Sequence, residues 1–177
     1  IHTYWQSAIC FATGQSPGPM GTSHPLNAPY QAFPVSDGWI TVGAANQANW
    51  LRLVDALGAP ELGNDPRFAN NAERMRNLGA LQAALTPLFK SRSAAEWLQR
   101  LEEAGVPAGP VLDIGQMHAD PQTLAREMIV ETMHPAAGRV AAIGLPIKFS
   151  DTPGSVRRAA PVLGQHTREV LHDHGFT

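Results

Sequence analysis

Histidine is the residue type in this sequence with the widest choice of chemistry, because it can bind metals or exchange protons near neutral pH. The chain has seven histidines, and the only close pair is His172 and His174. Residues two apart at a helix end point in different directions, and neither a cysteine nor a second histidine at i, i+4 spacing completes a ligand set. We therefore predict that the chain has no metal site.

Carboxylates are the second group that can do acid–base or nucleophilic chemistry. Glu102 and Glu103 are adjacent and would face apart on a helix, so they do not make a pair that shares a proton. Asp37 lies in a predicted turn, and Asp65 and Asp120 each precede a proline as helix caps do. No glycine-rich phosphate loop, dinucleotide-binding motif or serine-nucleophile motif is present. The residue pattern by itself names no catalytic residue and predicts no cofactor.

The composition is that of an ordinary folded domain, with 44% hydrophobic and 16% charged residues. The formal net charge of −2 leaves no basic excess to neutralise phosphates, so we expect no nucleic-acid partner. No apolar run reaches the ~20 residues that a membrane helix needs, so we expect no membrane association. The single cysteine excludes an internal disulfide and suits a reducing compartment, which favours the cytoplasm.

The first half of the chain predicts a hairpin followed by helices. Two runs of β-forming residues, 30–35 and 39–44, flank Asp37-Gly38, which is a strong hairpin signal. Asn46 is placed to cap a helix over 47–57. A longer helix is expected from about residue 71, with Pro87 kinking or ending it.

The second half predicts shorter elements. Ser93 and Glu96 have the spacing of a capping box at the start of a helix. A rigid turn over 105–111 leads into a short strand, and two further strands are expected over 128–134 and 139–143. The order of hairpin, helices and hairpin predicts an α+β fold, with an antiparallel sheet that helices cover on one face.

The first residues look like the inside of a helix, because Tyr4, Trp5 and Ala8 have helical spacing and no capping residue precedes them. The chain also opens at Ile1, without an initiator methionine. We therefore expect a segment cut from a longer protein.

Six fragments in order make the chain similar to a known family. The run from Pro29 to Pro34 followed by Asp37-Gly38-Trp39 resembles a "PYQAF-x-x-x-DGW" segment of the class III CoA-transferases, the CaiB/BaiF family. The other five fragments follow in the same order and extend the resemblance over residues 20–176: 65–74, 105–111, 120–122, 144–150 and 161–171. We identify the chain as a C-terminal segment of this family.

The resemblance implies a domain organisation. Family members join a Rossmann-like, CoA-binding large domain to a small α+β domain, and two protomers interlock as a homodimer. Residues 1–27 are then the end of a large-domain helix and a linker, 28–150 are the small domain, and 151–177 are a linker and helix that return to the large domain. The implied partners of the chain are its own N-terminal domain and a second protomer.

The resemblance also implies an activity, namely transfer of CoA from an acyl-CoA to a carboxylic acid through an aspartate. That aspartate lies upstream of this segment in the family, so we expect no catalytic residue in this chain and no turnover by the chain alone. Coenzyme A is a substrate rather than a cofactor. Two alternatives stay open: an α-methylacyl-CoA racemase of the same fold, and a non-catalytic domain that only binds or dimerises.

One loop is a candidate for contact with substrate. In formyl-CoA transferase a glycine-rich loop just before the small-domain hairpin closes over the reacting carboxylate, and the matching residues here are 21–27. Gly21 is retained, but the run of glycines is absent. His24 or Asn27 would donate a hydrogen bond to an acyl oxygen. The alternative is a linker whose polar side chains cap its own turn.

Overall fold

The computed structural model describes residues 3–176. Their contacts divide the chain into two compact units, which we call unit 1 (Ile1–Val111) and unit 2 (Leu112–Thr177). The predicted small domain, 28–150, spans parts of both units, and its boundaries stay a prediction. The predicted helix at residue 1 begins outside the described residues; the first helix described, α1, is Tyr4–Thr13.

Unit 1 contains a three-stranded antiparallel sheet of order β1-β2-β3. The predicted hairpin is confirmed as β1 (Tyr30–Pro34) and β2 (Trp39–Gly43). The predicted short strand is β3 (Ala108–Pro110), which pairs with β2 and so makes β2 the central strand. Burial alternates along β2, because its successive side chains point to opposite faces of the sheet.

Four more helices complete unit 1, together with two short 3-10 helices over Pro60–Asn64 and Pro66–Phe68. The helices are α2 (Gln47–Ala56), α3 (Asn71–Arg76), α4 (Leu78–Phe89) and α5 (Ala94–Glu103). The predicted caps are confirmed: the Asn46 side chain accepts a hydrogen bond from the Asn49 backbone at 2.8 Å, and Ser93 forms the capping box with Glu96.

The long helix predicted from residue 71 differs from the structure. It is two helices, with the break at Asn77, whose side chain donates to the carbonyl of Glu73 at 3.0 Å and to that of Arg67 at 3.2 Å. Pro87 does not end the second helix, which continues to Phe89. A side chain that satisfies backbone carbonyls stops a helix here, whereas a proline in the last turn interrupts only one backbone bond.

The core of unit 1 lies between one face of the sheet and the helices, as predicted. Phe33 of β1 stacks on Phe89 of α4 with ring centroids 4.5 Å apart, and Trp97 of α5 meets Phe89 edge-on at 5.6 Å. The Trp97 indole nitrogen also donates to the Phe89 carbonyl at 2.7 Å. The cluster continues through Ile40, Val42, Trp50, Leu53, Leu81, Leu85 and Leu101.

Unit 2 consists of a hairpin and three short helices. The predicted strands are confirmed as β4 (Ile129–His134) and β5 (Gly138–Ile143), which pair antiparallel. The helices are α6 (Ile114–Ala119), α7 (Pro121–Ala125) and α8 (Thr167–Asp173). Both units therefore fit the predicted α+β class. Among residues 3–176, no helix has the length and apolar character to cross a membrane.

Candidate functional site

The loop over 21–27 connects the segment after α1 to strand β1. It contains no helix, and Gly21 at its start has φ +62°, in the left-handed region that glycine adopts most easily. A Cβ atom at Gly21 would meet nothing within 4 Å, so the backbone conformation, and not lack of space, favours glycine there.

His24 occupies the middle of this loop and is half-buried. Its Nδ1 accepts a hydrogen bond from the Leu26 backbone N–H at 3.1 Å, and the Asn27 side-chain nitrogen lies 3.4 Å from the same atom. Its imidazole ring lies against the Tyr30 ring, with centroids 5.2 Å apart and planes at 33°. The structure therefore brings two predicted site residues, His24 and Asn27, into contact.

These contacts determine which nitrogen of neutral His24 carries the proton. A backbone N–H can only donate, so Nδ1 must be the unprotonated acceptor and Nε2 must hold the proton. In the part of the chain that the structure describes, Nε2 has no hydrogen-bond partner. His24 thus caps its own turn through Nδ1 and still presents an N–H donor through Nε2.

The first half of the loop is attached to unit 1 by a side-chain network. Gln82 of α4 donates from Nε2 to Ser23 Oγ at 3.0 Å and to Gln31 Oε1 at 2.9 Å, while Ser23 Oγ is 2.9 Å from the same Gln31 oxygen. Thr22 Oγ1 accepts from the Ala32 backbone at 3.1 Å. The residues before His24 are therefore held against β1.

Asn71 of α3 holds the second half. Its Nδ2 donates to the Leu26 carbonyl at 2.9 Å, and its Oδ1 accepts from the Ala28 backbone at 3.0 Å. Because His24 lies between the residues that Gln82 and Asn71 bind, the loop is anchored to helices of unit 1 on both sides of the imidazole. These hydrogen bonds favour one fixed conformation of the loop over a mobile one.

Arg74, three residues after Asn71, is a fully buried cation. It donates to the carbonyls of Ala28 at 2.6 Å, Phe68 at 3.1 Å and Ala45 at 2.9 Å, and to the Gln47 side-chain oxygen at 2.9 Å. All four acceptors are uncharged, and burial lowers the pKa of the Arg74 guanidinium from its ordinary value. The guanidinium also lies 5.2 Å from the centre of the Trp50 ring.

The arginine therefore joins the end of the loop to the start of α2 and to a 3-10 helix. Sequence reasoning gave Arg74 no role. The only signal was its position in the Asn71–Arg74 stretch that resembles the family, because nothing in the spacing says that this side chain turns inward.

A groove lies beside His24 on unit 1, with a volume of about 490 Å³. Its lining consists of Thr22, His24, Tyr30, Gln31, Ala32, Thr41, Val42 and Val111. The site therefore combines one N–H donor with a neighbouring space of the size that small-molecule pockets have. Of the three predicted residues, only His24 lines this groove. Gly21 begins the loop, and Asn27 lines a separate groove.

In the described part of the chain, no group of three or more His, Cys, Asp or Glu residues is arranged to bind a metal.

Comparison with protein families gives a match over nearly the whole chain. The model of CoA-transferase family III matches residues 2–167. The chain belongs to this family.

Individual relatives agree with the family match. The chain is 40% identical to the acetyl-CoA:oxalate CoA-transferase of Acetobacter aceti over 156 residues, which are 87% of this chain and 39% of that protein. It is 34% identical to the human succinyl-CoA:glutarate CoA-transferase, over 86% of this chain and 35% of that protein. The chain thus spans well under half the length of these curated relatives.

A solved structure shares the fold. A CaiB/BaiF family protein from Brucella suis superposes with a TM-score of 0.79 at 34% identity, covering 97% of this chain and 44% of that one.

Proposed function

We propose that this chain is the C-terminal part of an enzyme that transfers CoA between an acyl-CoA and a carboxylic acid. The observation that carries the proposal is the family match over residues 2–167. It is supported by relatives that are named as CoA-transferases for oxalate and glutarate. The racemase alternative has no comparable support among those relatives.

The proposed reaction uses an aspartate that lies upstream of this chain. Its carboxylate attacks the thioester carbonyl of the donor and CoA leaves as the thiolate, which gives a mixed anhydride. The thiolate then attacks the aspartyl carbonyl, so the first acid leaves as a carboxylate and an aspartyl-CoA thioester remains. The acceptor carboxylate passes through the same two steps in reverse, which releases the new acyl-CoA and restores the aspartate.

His24 supplies this chain's own contribution to the chemistry. Negative charge builds on the acyl oxygen each time the carbonyl is attacked, and an N–H donor aimed at that oxygen stabilises the charge. Loss of one such donor typically raises the barrier by ~3 kcal/mol. The Nε2–H of His24 is suited to this role because Leu26 and Asn27 occupy Nδ1, and because both flanks of the loop are anchored.

The remaining parts of the proposal concern the whole protein. It would work as an interlocked homodimer in the cytoplasm, with the N-terminal domain of the same protein binding most of the CoA. The resemblance to the family supports the dimer and the large domain, and the single cysteine suits a reducing compartment.

The test uses the full-length protein that contains this chain, acetyl-CoA as donor and a panel of carboxylic acids as acceptors. Chromatography of the thioesters should show a new acyl-CoA that forms as acetyl-CoA disappears. In D₂O, exchange of the α-hydrogen of a 2-methylacyl-CoA without thioester exchange would support the racemase instead.

A comparison of the chain with the full-length protein separates these enzymes from a module that only binds. We expect the 177-residue chain to show no thioester exchange, because no residue in it matches the nucleophile. Calorimetric titration with CoA should give tighter binding to the full-length protein than to the chain. CoA binding without turnover of any acyl-CoA by the full-length protein would favour the non-catalytic alternative.

A further inference from the structure

The groove beside His24 has no Lys, Arg, Asp or Glu side chain on any side that the structure describes. Its apolar part is formed by Ala32, Val42 and Val111. A carboxylate in such a groove would lose water without gaining a counter-charge, which is unfavourable. The groove therefore suits the uncharged part of a ligand.

Three polar side-chain atoms that line the groove already have partners within unit 1. Thr22 Oγ1 accepts from the Ala32 backbone at 3.1 Å, and Thr41 Oγ1 donates to the Gly109 carbonyl at 3.2 Å. Gln31 Oε1 accepts from Ser23 and Gln82, at 2.9 Å in each case. A polar atom that already has a partner offers little to a ligand, so these three atoms make the surface less polar than its residue types suggest.

Tyr30 forms one wall of the groove, and its position depends on Gly43 across the hairpin. One side of the Tyr30 ring lies against His24, and a Cβ atom at Gly43 would come within 3.0 Å of the ring. Tyr30 also lines a second groove that contains the side chains of Asn27, Asn46 and Asn71. Tyr30 is thus shared by the groove beside His24 and a second groove that three asparagines line.

We propose that the groove beside His24 binds the uncharged carbon chain of the acyl group and of the acceptor acid, while His24 Nε2 faces the acyl oxygen. The ligand class is a monocarboxylic acid with an aliphatic chain, rather than a dicarboxylic acid whose second charge would enter the groove. This inference rests on the proposed CoA-transferase function. The proposed ligand class differs from the acids for which the Acetobacter and human relatives are named, oxalate and glutarate.

The wild-type test compares acceptor acids with the full-length protein and acetyl-CoA. Butanoate, pentanoate and hexanoate are measured beside succinate, glutarate and adipate, which have the same chain lengths. We expect kcat/KM to rise about fourfold for each methylene group that enters the groove, which corresponds to ~0.8 kcal/mol. We also expect each monocarboxylate to exceed its matched dicarboxylate at least tenfold.

A charge placed in the groove should reverse this preference. Val111 lines the groove and is half-exposed, so Val111→Lys adds a cation there without removing a core residue. The ratio of kcat/KM for glutarate to that for pentanoate should rise at least tenfold. Leu51→Lys is the matched control, because Leu51 is also half-exposed but lies on α2 and does not line the groove; its ratio should equal that of the wild type.

The outcomes separate the groove assignment from the proposed CoA-transferase function. Transfer that shows no dependence on chain length, or a wild-type preference for dicarboxylates, would overturn the groove assignment and leave the CoA-transferase function standing. An unchanged ratio in Val111→Lys would also overturn the assignment, provided that its melting temperature matches that of the wild type. Absence of transfer to any acid would overturn the proposed function and the groove assignment together.

Discussion

Units 1 and 2 have similar kinds of secondary structure but bury very different amounts of hydrophobic surface. The buried hydrophobic cluster of the described chain lies entirely in unit 1, where helices cover one face of the β1-β2-β3 sheet. In unit 2 many of the large hydrophobic side chains are exposed, and these include Ile143, Ile147, Phe149, Leu163 and Phe176. A two-stranded hairpin with short helices offers too little packing surface to bury such side chains by itself.

This difference in buried hydrophobic surface indicates that unit 1, rather than unit 2, can hold a site in a defined geometry. The anchors of the 21–27 loop come from α3 and α4, and both helices place side chains in the core of unit 1. A loop that is tied to a packed core keeps its donors in place, whereas a weakly packed hairpin opens locally at low free-energy cost. We therefore assign the positioning of His24 to unit 1.

Hydrogen exchange tests the contrast between units 1 and 2, and we expect its effect to be the largest of those predicted here. Amides of β1, β2, α4 and α5 should exchange only through global unfolding, with opening free energies of several kcal/mol, whereas amides of β4 and β5 should open at a cost nearer zero. Mass spectrometry of the 177-residue chain measures both sets together.

The same experiment decides between two domain boundaries. The division by contacts predicts that protection falls after residue 111, whereas the small domain expected from the resemblance predicts protection out to residue 150. Equal protection of β2 and β5 would contradict the contrast between the units and support the longer domain.

Two leucine-to-alanine substitutions sharpen the comparison at single residues. Leu85 of α4 is fully buried and Leu163 of unit 2 is fully exposed. Leu85→Ala should lower the free energy of unfolding of unit 1 by ~2–5 kcal/mol, because a cavity is left in a close-packed core. Leu163→Ala should change it by less than ~0.5 kcal/mol.

Urea denaturation followed by tryptophan fluorescence measures both leucine variants, since Trp50 and Trp97 lie in the core of unit 1. Equal destabilisation by the two variants would show that Leu163 is also packed against a protein surface.

Arg74 and Arg67 make a second matched pair within unit 1. Arg74→Ala should destabilise unit 1 by ~3 kcal/mol, because the carbonyls of Ala28, Ala45 and Phe68 lose a donor in a buried place. Arg67 is mostly exposed and pairs with Asp65 at 2.7 Å, so Arg67→Ala should have a much smaller effect.

The arginine variants also report on the loop. Because Arg74 binds the Ala28 carbonyl, Arg74→Ala should perturb the amide resonances of residues 24–28 in an NMR spectrum, and Arg67→Ala should not. If those resonances stay unchanged in Arg74→Ala, Arg74 does not hold the loop in place.

The sequence predicted best what depends on neighbours along the chain. The Asp37-Gly38 hairpin, the Asn46 cap and the Ser93 capping box are all confirmed, because each is determined by a few consecutive residues. The break at Asn77 was missed because it depends on a side chain that reaches back to Arg67 and Glu73.

The anchors of the site could not be predicted for the same reason. Gln82 is 59 residues from Ser23, and Arg74 is 46 residues from Ala28, so only the folded chain brings them together. The position of the loop came from the resemblance to the family, and its residue types named His24 and Asn27. The protonated nitrogen of neutral His24 follows only from the contact with the Leu26 backbone.

The central claim is that the loop over 21–27 presents His24 to the acyl group, and single-turnover kinetics of His24→Ala in the full-length protein test it most directly. The reaction of the bound acyl-enzyme should slow by about 100-fold, in line with the ~3 kcal/mol that one such donor supplies, while the Kd for CoA stays within about twofold. The melting temperature should fall only modestly, because the substitution removes the turn hydrogen bond from Leu26 and the half-buried contacts with Asn27 and Tyr30, each worth ~1 kcal/mol or less. His118→Ala is the control, since His118 is an exposed histidine of unit 2. An unchanged single-turnover rate in a folded His24→Ala protein would contradict the claim and reduce His24 to a residue that caps its own turn.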